Sequence, residues 1–109
     1  MLNLNTVDVG DVILAAFPYE DKITENKTRP AVVMEKNDNS LTVFALKVTS
    51  TPPRDKYDYE IVNWALTGLK NISTVRTCKR AVIYVSDIVK KIGTLSPTDF
   101  QAVVNLYNQ

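Results

Sequence analysis

Residues 9–21 read VGDVILAAFPYED and residues 27–33 read KTRPAVV. The first carries an apolar, β-branched run from Val12 to Phe17 behind the turn-forming pair Gly10-Asp11, and the second leads into the buried-looking run Val32-Val33-Met34. Between the two strands lies a polar loop, Pro18 to Thr28. It is longer than a tight hairpin requires, and loops of that kind often carry function. Arg29 stands at its far edge, with Pro30 behind it. Proline biases the preceding residue away from the helical region, so the second strand begins extended, directly after a charged donor.

Working outward, Met1 to Asn5 is a loose lead-in, and strand one spans Asp11 to Phe17. Strand two runs from Ala31 to Lys36, and Asn37-Asp38-Asn39-Ser40 is a turn built from residues that accept turn geometry. Leu41 to Val48 is apolar on both faces, which predicts a central strand. It ends in the hydroxyls Thr49, Ser50 and Thr51, and Pro52-Pro53 cannot donate to a ladder. A charged connector follows, where Arg54 has Asp55 and Asp58 as candidate local ion-pair partners. Tyr57 to Val62 alternates like a short half-buried strand. Asn63 is placed to cap one helical turn through Trp64, Ala65 and Leu66, closed by Gly68. Trp64 reads as core or as a subunit contact.

Ile72 to Thr77 and Ala81 to Val85 read as two further strands with a polar turn at Lys79-Arg80, and a short segment from Ser86 or Asp87 runs to Gly93. The last element is a helix. Ser96 is its N-cap, Pro97 its first residue, and Asp99 sits three residues after the cap. Phe100, Val103, Val104 and Tyr107 recur on one face. The fold class is therefore α+β: one domain over residues 1–109, a small, strongly bent antiparallel sheet with barrel-like tendencies and a C-terminal helix.

Composition narrows the chemistry. The chain has 109 residues, enough for one core. The single cysteine, Cys78, allows neither an internal disulfide nor a cysteine-based metal cluster, and reads as a small apolar filler. One thiol and no signal-like segment predict a cytoplasmic location. No apolar run is long enough for a membrane helix, which predicts no membrane partner. The absence of histidine excludes histidine-centred acid–base catalysis and ordinary zinc sites. A net charge of +1 hides an uneven distribution. From Lys70 to Lys91 stand Lys70, Arg76, Lys79, Arg80, Lys90 and Lys91 against Asp87 alone. Such a segment is either a phosphate-binding face or a solvated surface.

No glycine-rich phosphate loop, two-metal carboxylate cluster or other cofactor motif occurs, so no cofactor is called for. What remains are arginines and hydroxyls at strand ends: Arg29, Thr49, Ser50, Ser73, Thr74, Arg76 and Thr77. In a bent sheet the end of strand three lies near the start of strand two, which can set Arg29 across a groove from Thr49 and Ser50. Arginine offers a fixed fork of donors suited to phosphate, and hydroxyls add short directional bonds. RNA carries its own nucleophile, so a cleaving protein needs only alignment, proton management and charge stabilisation. The simpler roles are backbone satisfaction at a strand end for Thr49 and Ser50 and plain exposure for Arg76.

The chain resembles the MazF/PemK-type toxins of bacterial toxin–antitoxin pairs. The resemblance rests on Gly10 to Leu14 with Phe17-Pro18, Thr28 to Val33, Val48-Thr49-Ser50, Gly68-Leu69, Ser73 to Arg76, and Ile92 to Ser96, in the same order along nearly the whole chain. It implies an SH3-like barrel with a terminal helix, a homodimer, and a metal-independent endoribonuclease. Such an enzyme cuts single-stranded RNA at short sequences, leaving 2′,3′-cyclic phosphate and 5′-hydroxyl ends. A cognate antitoxin would cover the groove. Carried over by motif, Arg29 is the main phosphate contact and a candidate for proton transfer. Thr49 supplies transition-state hydrogen bonding with Ser50 beside it, and Arg76 shares the catalytic load. Ser73, Thr74, Thr77, Lys79 and Tyr19 are the remaining substrate-binding candidates. The chain departs from the family in having no acid shortly after Arg76, where Thr77, Cys78 and Lys79 follow, no histidine near the first loop, and Glu25 to Thr28 in place of a glycine-rich stretch. Two other readings stay open: a non-catalytic nucleic-acid- or peptide-binding barrel using the Lys70–Lys91 face, and an assembly protein using Trp64, Leu66 and the last helix.

Overall fold

Alternation of apolar residues decides how the strands sit. The computed structural model describes residues 6–16 and 28–109. Six strands form one antiparallel sheet: β1 (Asp11–Ala16), β2 (Thr28–Asn37), β3 (Thr42–Thr49), β4 (Asp58–Glu60), β5 (Thr74–Tyr84) and β6 (Ile88–Thr94). A single helix, α1 (Pro97–Tyr107), follows them. The strand order is β4-β5-β3-β2-β1-β6, so β4 and β6 are edges and the barrel implied by the resemblance stays open as a bent sheet. Shifts of register between Val33 and Glu35 in β2 and between Leu46 and Lys47 in β3 mark where it bends.

Successive strand residues point to opposite faces, and both faces are buried. Ile13, Ala31, Val33, Val43, Ala45, Ala81 and Ile83 belong to one cluster. Val12, Val32, Leu46, Val48 and Val75 belong to a second, with Ile61 and Val103. Phe100, Val104 and Tyr107 of α1 pack on the second cluster, as does Trp64. This is why β3 reads as apolar on both faces, and the central position predicted for it is observed.

Several boundaries differ from the sequence reading. β2 begins at Thr28, so Arg29 and Pro30 lie inside the strand, paired with Ala15 and Leu14 of β1. The two strands expected around Lys79-Arg80 are one, β5. Its irregularity is a bulge: Leu46 pairs with Arg80 but Lys47 with Arg76. Thr77 is held there by its hydroxyl on the Tyr57 carbonyl at 2.6 Å, and Arg80 Nε donates to the Thr77 carbonyl at 2.8 Å. Cys78, on the bulge, is exposed and fills no core space. Asn63 stands at the N-cap of the 3-10 turn Trp64–Thr67, its carbonyl accepting from Leu66 N, but its side chain makes no capping bond. Its side chain donates to Ser96 Oγ and its backbone N–H to Asp99. The loop expected from Pro18 to Thr28 lies outside the described residues as far as residue 27, as does the lead-in Met1 to Asn5.

Ser96 caps α1 as expected, accepting from the Asp99 backbone N–H at 3.2 Å. Asp99 does more than donate its backbone N–H to this cap. It is fully buried, and its carboxylate accepts from the Tyr59 hydroxyl at 2.6 Å, Val62 N at 3.0 Å, Asn63 N at 2.9 Å and Ser96 Oγ at 3.0 Å. Burial pushes this carboxyl up, but the donors outweigh it and hold Asp99 below the usual carboxylate range. Burial, the hydrogen bond to Asp99 and its charge push the Tyr59 phenol up to about 12.

Two glycines let the 3-10 turn lie directly on the backbone of β6. Gly68 has φ +86° and closes the turn, and a Cβ there would stand 2.7 Å from the Ile92 carbonyl oxygen. A Cβ on Gly93 would stand 2.1 Å from the Thr67 carbonyl oxygen. Backbone blocks both positions, so neither clash is relieved by a rotamer change. Gly93→Ala is expected to destabilise the fold by at least about 1–3 kcal/mol, the range for forced overpacking, read by denaturant unfolding. A loss under about 0.5 kcal/mol would show that the turn yields easily.

Candidate functional site

The strand ends around this turn enclose a groove of about 840 Å³. Its floor is made by β2, β3 and β5. Its walls are the Ser50–Arg54 connector, the Gly68–Asn71 loop and Lys90 to Ile92 of β6. Ladder register explains who meets whom. Ala31 pairs with Lys47 at the end of the β2–β3 ladder, so Arg29 and Thr49 both lie just beyond its last rung, and both line the groove. Thr49 pairs with Thr74, and Lys47 with Arg76, across the β3–β5 ladder. β-strand alternation then presents Lys47, Thr49 and Arg76 to the groove while Val75 and Leu46 enter the core.

Of the residues singled out from the sequence, Arg29, Thr49, Ser50, Ser73 and Arg76 line this one groove. The hydroxyls are oriented by their own strand ends. Thr49 Oγ1 accepts from the Thr51 backbone N–H at 3.2 Å and donates to Thr51 Oγ1 at 3.3 Å. Ser73 Oγ donates to the Asn71 carbonyl at 2.8 Å, which ties the loop wall to β5. Three candidates lie elsewhere. Thr74 is buried in the ladder between Thr49 and Glu60. Thr77 is buried and bound to Tyr57. Lys79 is exposed on the β5 bulge and lines no part of the groove. Tyr19 lies outside the described residues.

Five cations join Arg29 and Arg76: Lys47, Arg54, Lys70, Lys90 and Lys91. No acidic residue is among the described lining. The basic character of Lys70 to Lys91 signalled part of this set, while Lys47 and Arg54 carried no such signal because each stands among residues with an evident local role. Arg54 does not form the local ion pair expected of it. Asp58 accepts from its backbone N–H at 3.0 Å and is ion-paired instead with Arg76, Nε to Oδ1, at 3.3 Å. Lys91 is anchored on the buried Asp11 at 3.2 Å. A groove so lined attracts polyanions and offers forked donors beside hydroxyls at its centre. Among the described residues no cluster of three or more metal-binding side chains occurs, and no helix is long and apolar enough to cross a membrane.

The family model for the PemK-like, MazF-like toxin of type II toxin–antitoxin systems matches residues 8–107. Among solved structures the chain is similar to MazF in the MazE–MazF complex from Deinococcus radiodurans, at 15% identity and TM-score 0.73, covering 94% of this chain and 91% of that one. It is also similar to the Mycobacterium tuberculosis toxin MazF-mt6, at 19% identity and TM-score 0.69, covering 90% and 92%. An endoribonuclease from a mycobacterial species gives 11% identity and TM-score 0.69, covering 91% and 85%. A search of curated protein sequences gave no match. At these identities the solved structures establish the fold, and the family model, spanning nearly the whole chain, establishes descent: the chain belongs to the PemK-like, MazF-like toxins of type II toxin–antitoxin systems.

Proposed function

We propose that the chain is a metal-independent, sequence-specific endoribonuclease that cuts single-stranded RNA and acts as the toxin of a toxin–antitoxin pair. The observation that carries this reading is a groove with seven cations and a central hydroxyl set, and no acid in its described lining, on a member of this toxin family. A strand of RNA laid in the groove has its phosphates matched by charge and one of them met by the Arg29 fork. The 2′-hydroxyl gives up its proton to solvent and its oxygen bonds to phosphorus. The P–O5′ bond breaks, and the leaving 5′-oxygen takes a proton from solvent. The products are a 2′,3′-cyclic phosphate and a 5′-hydroxyl. Arg29 and Arg76 stabilise the charge that grows on the phosphoryl oxygens, Thr49 adds a hydrogen bond there, and Ser50 and Ser73 position the strand. As proposed partners, a cognate antitoxin occupies the same groove and a second copy of the chain completes a homodimer. Two solved relatives are complexes with antitoxin.

The test is incubation of the purified, antitoxin-free protein with a long single-stranded RNA in chelator, followed by mapping of the ends. Discrete cuts with cyclic phosphate and 5′-hydroxyl ends are expected. A second reading, an RNA- or protein-binding member without catalysis, is favoured by the absence of an acid in the Thr77-Cys78-Lys79 stretch after Arg76. RNA retained but uncut by a folded protein selects it.

Thr49→Val tests the hydroxyl. The rate is expected to fall about 10–100-fold with RNA affinity kept, as for a donor that acts in the transition state. Loss of the bond from Thr51 N–H costs about 1 kcal/mol in stability. Thr49→Ser restores the rate. Equal losses in rate and affinity would assign Thr49 to ground-state binding.

A further inference from the structure

Arg76 has a charged neighbour on each side. Lys47 of β3 faces it across one ladder and Asp58 of β4 across the other. Like charges directly opposite on adjacent strands repel, so the Lys47–Arg76 pair alone works against an arrangement that brings both to the groove. Asp58 offsets this from behind. Its side chain is 1% exposed and lines no part of the groove. Both of its oxygens are nevertheless committed to groove elements: Oδ1 accepts from Arg76 Nε and Oδ2 from the Arg54 backbone N–H. The side chains of Arg54 and Arg76 both line the groove. Among the described residues Arg76 makes no other side-chain hydrogen bond, so engagement at Nε leaves its terminal nitrogens for an incoming phosphate.

We propose that Asp58 is a positioning residue for RNA cleavage, fixing the Arg76 fork and the Arg54 connector from behind the groove wall without touching RNA. The proposal rests on the endoribonuclease reading. A donor fixed in advance loses little freedom on meeting the phosphate and needs no reorganisation as charge develops. Without Asp58 the cation remains in the groove but is no longer aimed. Chemistry then suffers while attraction for RNA does not, because the groove has become more positive.

The experiment compares Asp58→Asn, Arg76→Ala and the double variant. Asp58→Asn is expected to lower kcat about 10–100-fold, the scale of an ångström-sized misplacement, with KM and RNA affinity unchanged or improved. In the Arg76→Ala background the same substitution is expected to change the remaining rate less than twofold, since the partner it acts through is gone. Equal fractional losses in both backgrounds, or affinity falling in step with rate, would overturn the proposal. A measurement on the unsubstituted protein guards against misfolding of the variants. The Nε–Hε signal of Arg76 should exchange with solvent more slowly than that of an unpaired arginine, and free exchange would overturn the hold itself. An unsubstituted protein that leaves RNA uncut overturns the endoribonuclease reading and this proposal together. One that cuts, with Asp58→Asn cutting equally well, overturns the role of Asp58 alone.

Discussion

Replacing Arg29 by alanine is expected to lower RNA cleavage by at least about 10²–10³-fold, the loss typical of removing a donor aimed at developing charge, while the protein stays folded. Arg29 sits half-buried on β2, outside both core clusters, so the stability change should stay within about 1 kcal/mol. A second readout separates charge from geometry. Each phosphate contact to single-stranded RNA adds about 0.7 to the slope of log affinity against log salt, and Arg29→Ala should reduce the slope by about that much. Arg29→Lys keeps the charge but loses the planar fork. It should therefore keep the salt slope and recover only part of the rate. Unchanged cleavage by Arg29→Ala would remove this residue from the site.

The largest expected effect on stability lies at Asp99. Its buried carboxylate satisfies two backbone amides and two hydroxyls in part-buried bonds. Asp99→Ala removes the acceptor shared by those four donors at once, and a loss of about 2–4 kcal/mol is expected in denaturant unfolding, from several hydrogen bonds to a charged group that are only part-buried. The pH dependence has a definite sign. The folded carboxyl lies below the usual range, so its stabilisation is present above the ordinary carboxylate pKa and is lost as pH falls through the folded value. Asp99→Asn should remove that part of the acid limb. At the alkaline end Tyr59 is raised to about 12, so its contribution is present below pH 10 and is lost as pH climbs toward 12. In Asp99→Asn the Tyr59 phenol, followed by NMR, should titrate nearer to its ordinary value. A stability curve indifferent to Asp99→Asn would rule out this account.

How much of this was legible in the sequence varies with the range of the forces involved. α1 was readable because its signals are local: Ser96, Pro97 and the apolar face lie within one stretch. Strands β1 to β3 were readable from their apolar, β-branched runs and the turn residues beside them. β5 was not, because Lys79-Arg80 looks like a turn while the observed bulge depends on Tyr57 and Tyr107. Arg80 stacks over the Tyr107 ring at 4.5 Å and donates to its carbonyl at 3.2 Å. The start of β2 was misplaced for a related reason: proline reads as a barrier, yet Pro30 is accommodated within the strand opposite Leu14. In the groove, Arg29, Thr49 and Arg76 were found because a charged fork and strand-end hydroxyls are unusual in an apolar run. Thr74 and Thr77 look identical to Ser73 in the sequence, and only the folded ladder and the bulge cover them. Asp58 was read only as a local partner for Arg54, since its ion-pair partner Arg76 is 18 residues away and is chosen by register. Asp99 was read as a capping residue, and its hold on Tyr59, Val62 and Asn63 depends on where α1 docks.

The pairing of the first strand with the last has a consequence for how the molecule is made. β1 needs β6 as its outer neighbour, Thr67 and Gly68 at the end of the 3-10 turn are seated on Gly93 and Ile92, and Asp99 clasps the segment before that turn. Translation delivers the N-terminal part first, at about 5–20 residues per second. Arg29 and Thr49 therefore leave the ribosome some seconds before Lys90, Lys91 and Asp99. Contacts this far apart in the chain cannot form until both ends are free. With the proposed activity, a nascent chain is harmless to the message being translated, and the groove becomes complete only as synthesis of the domain ends.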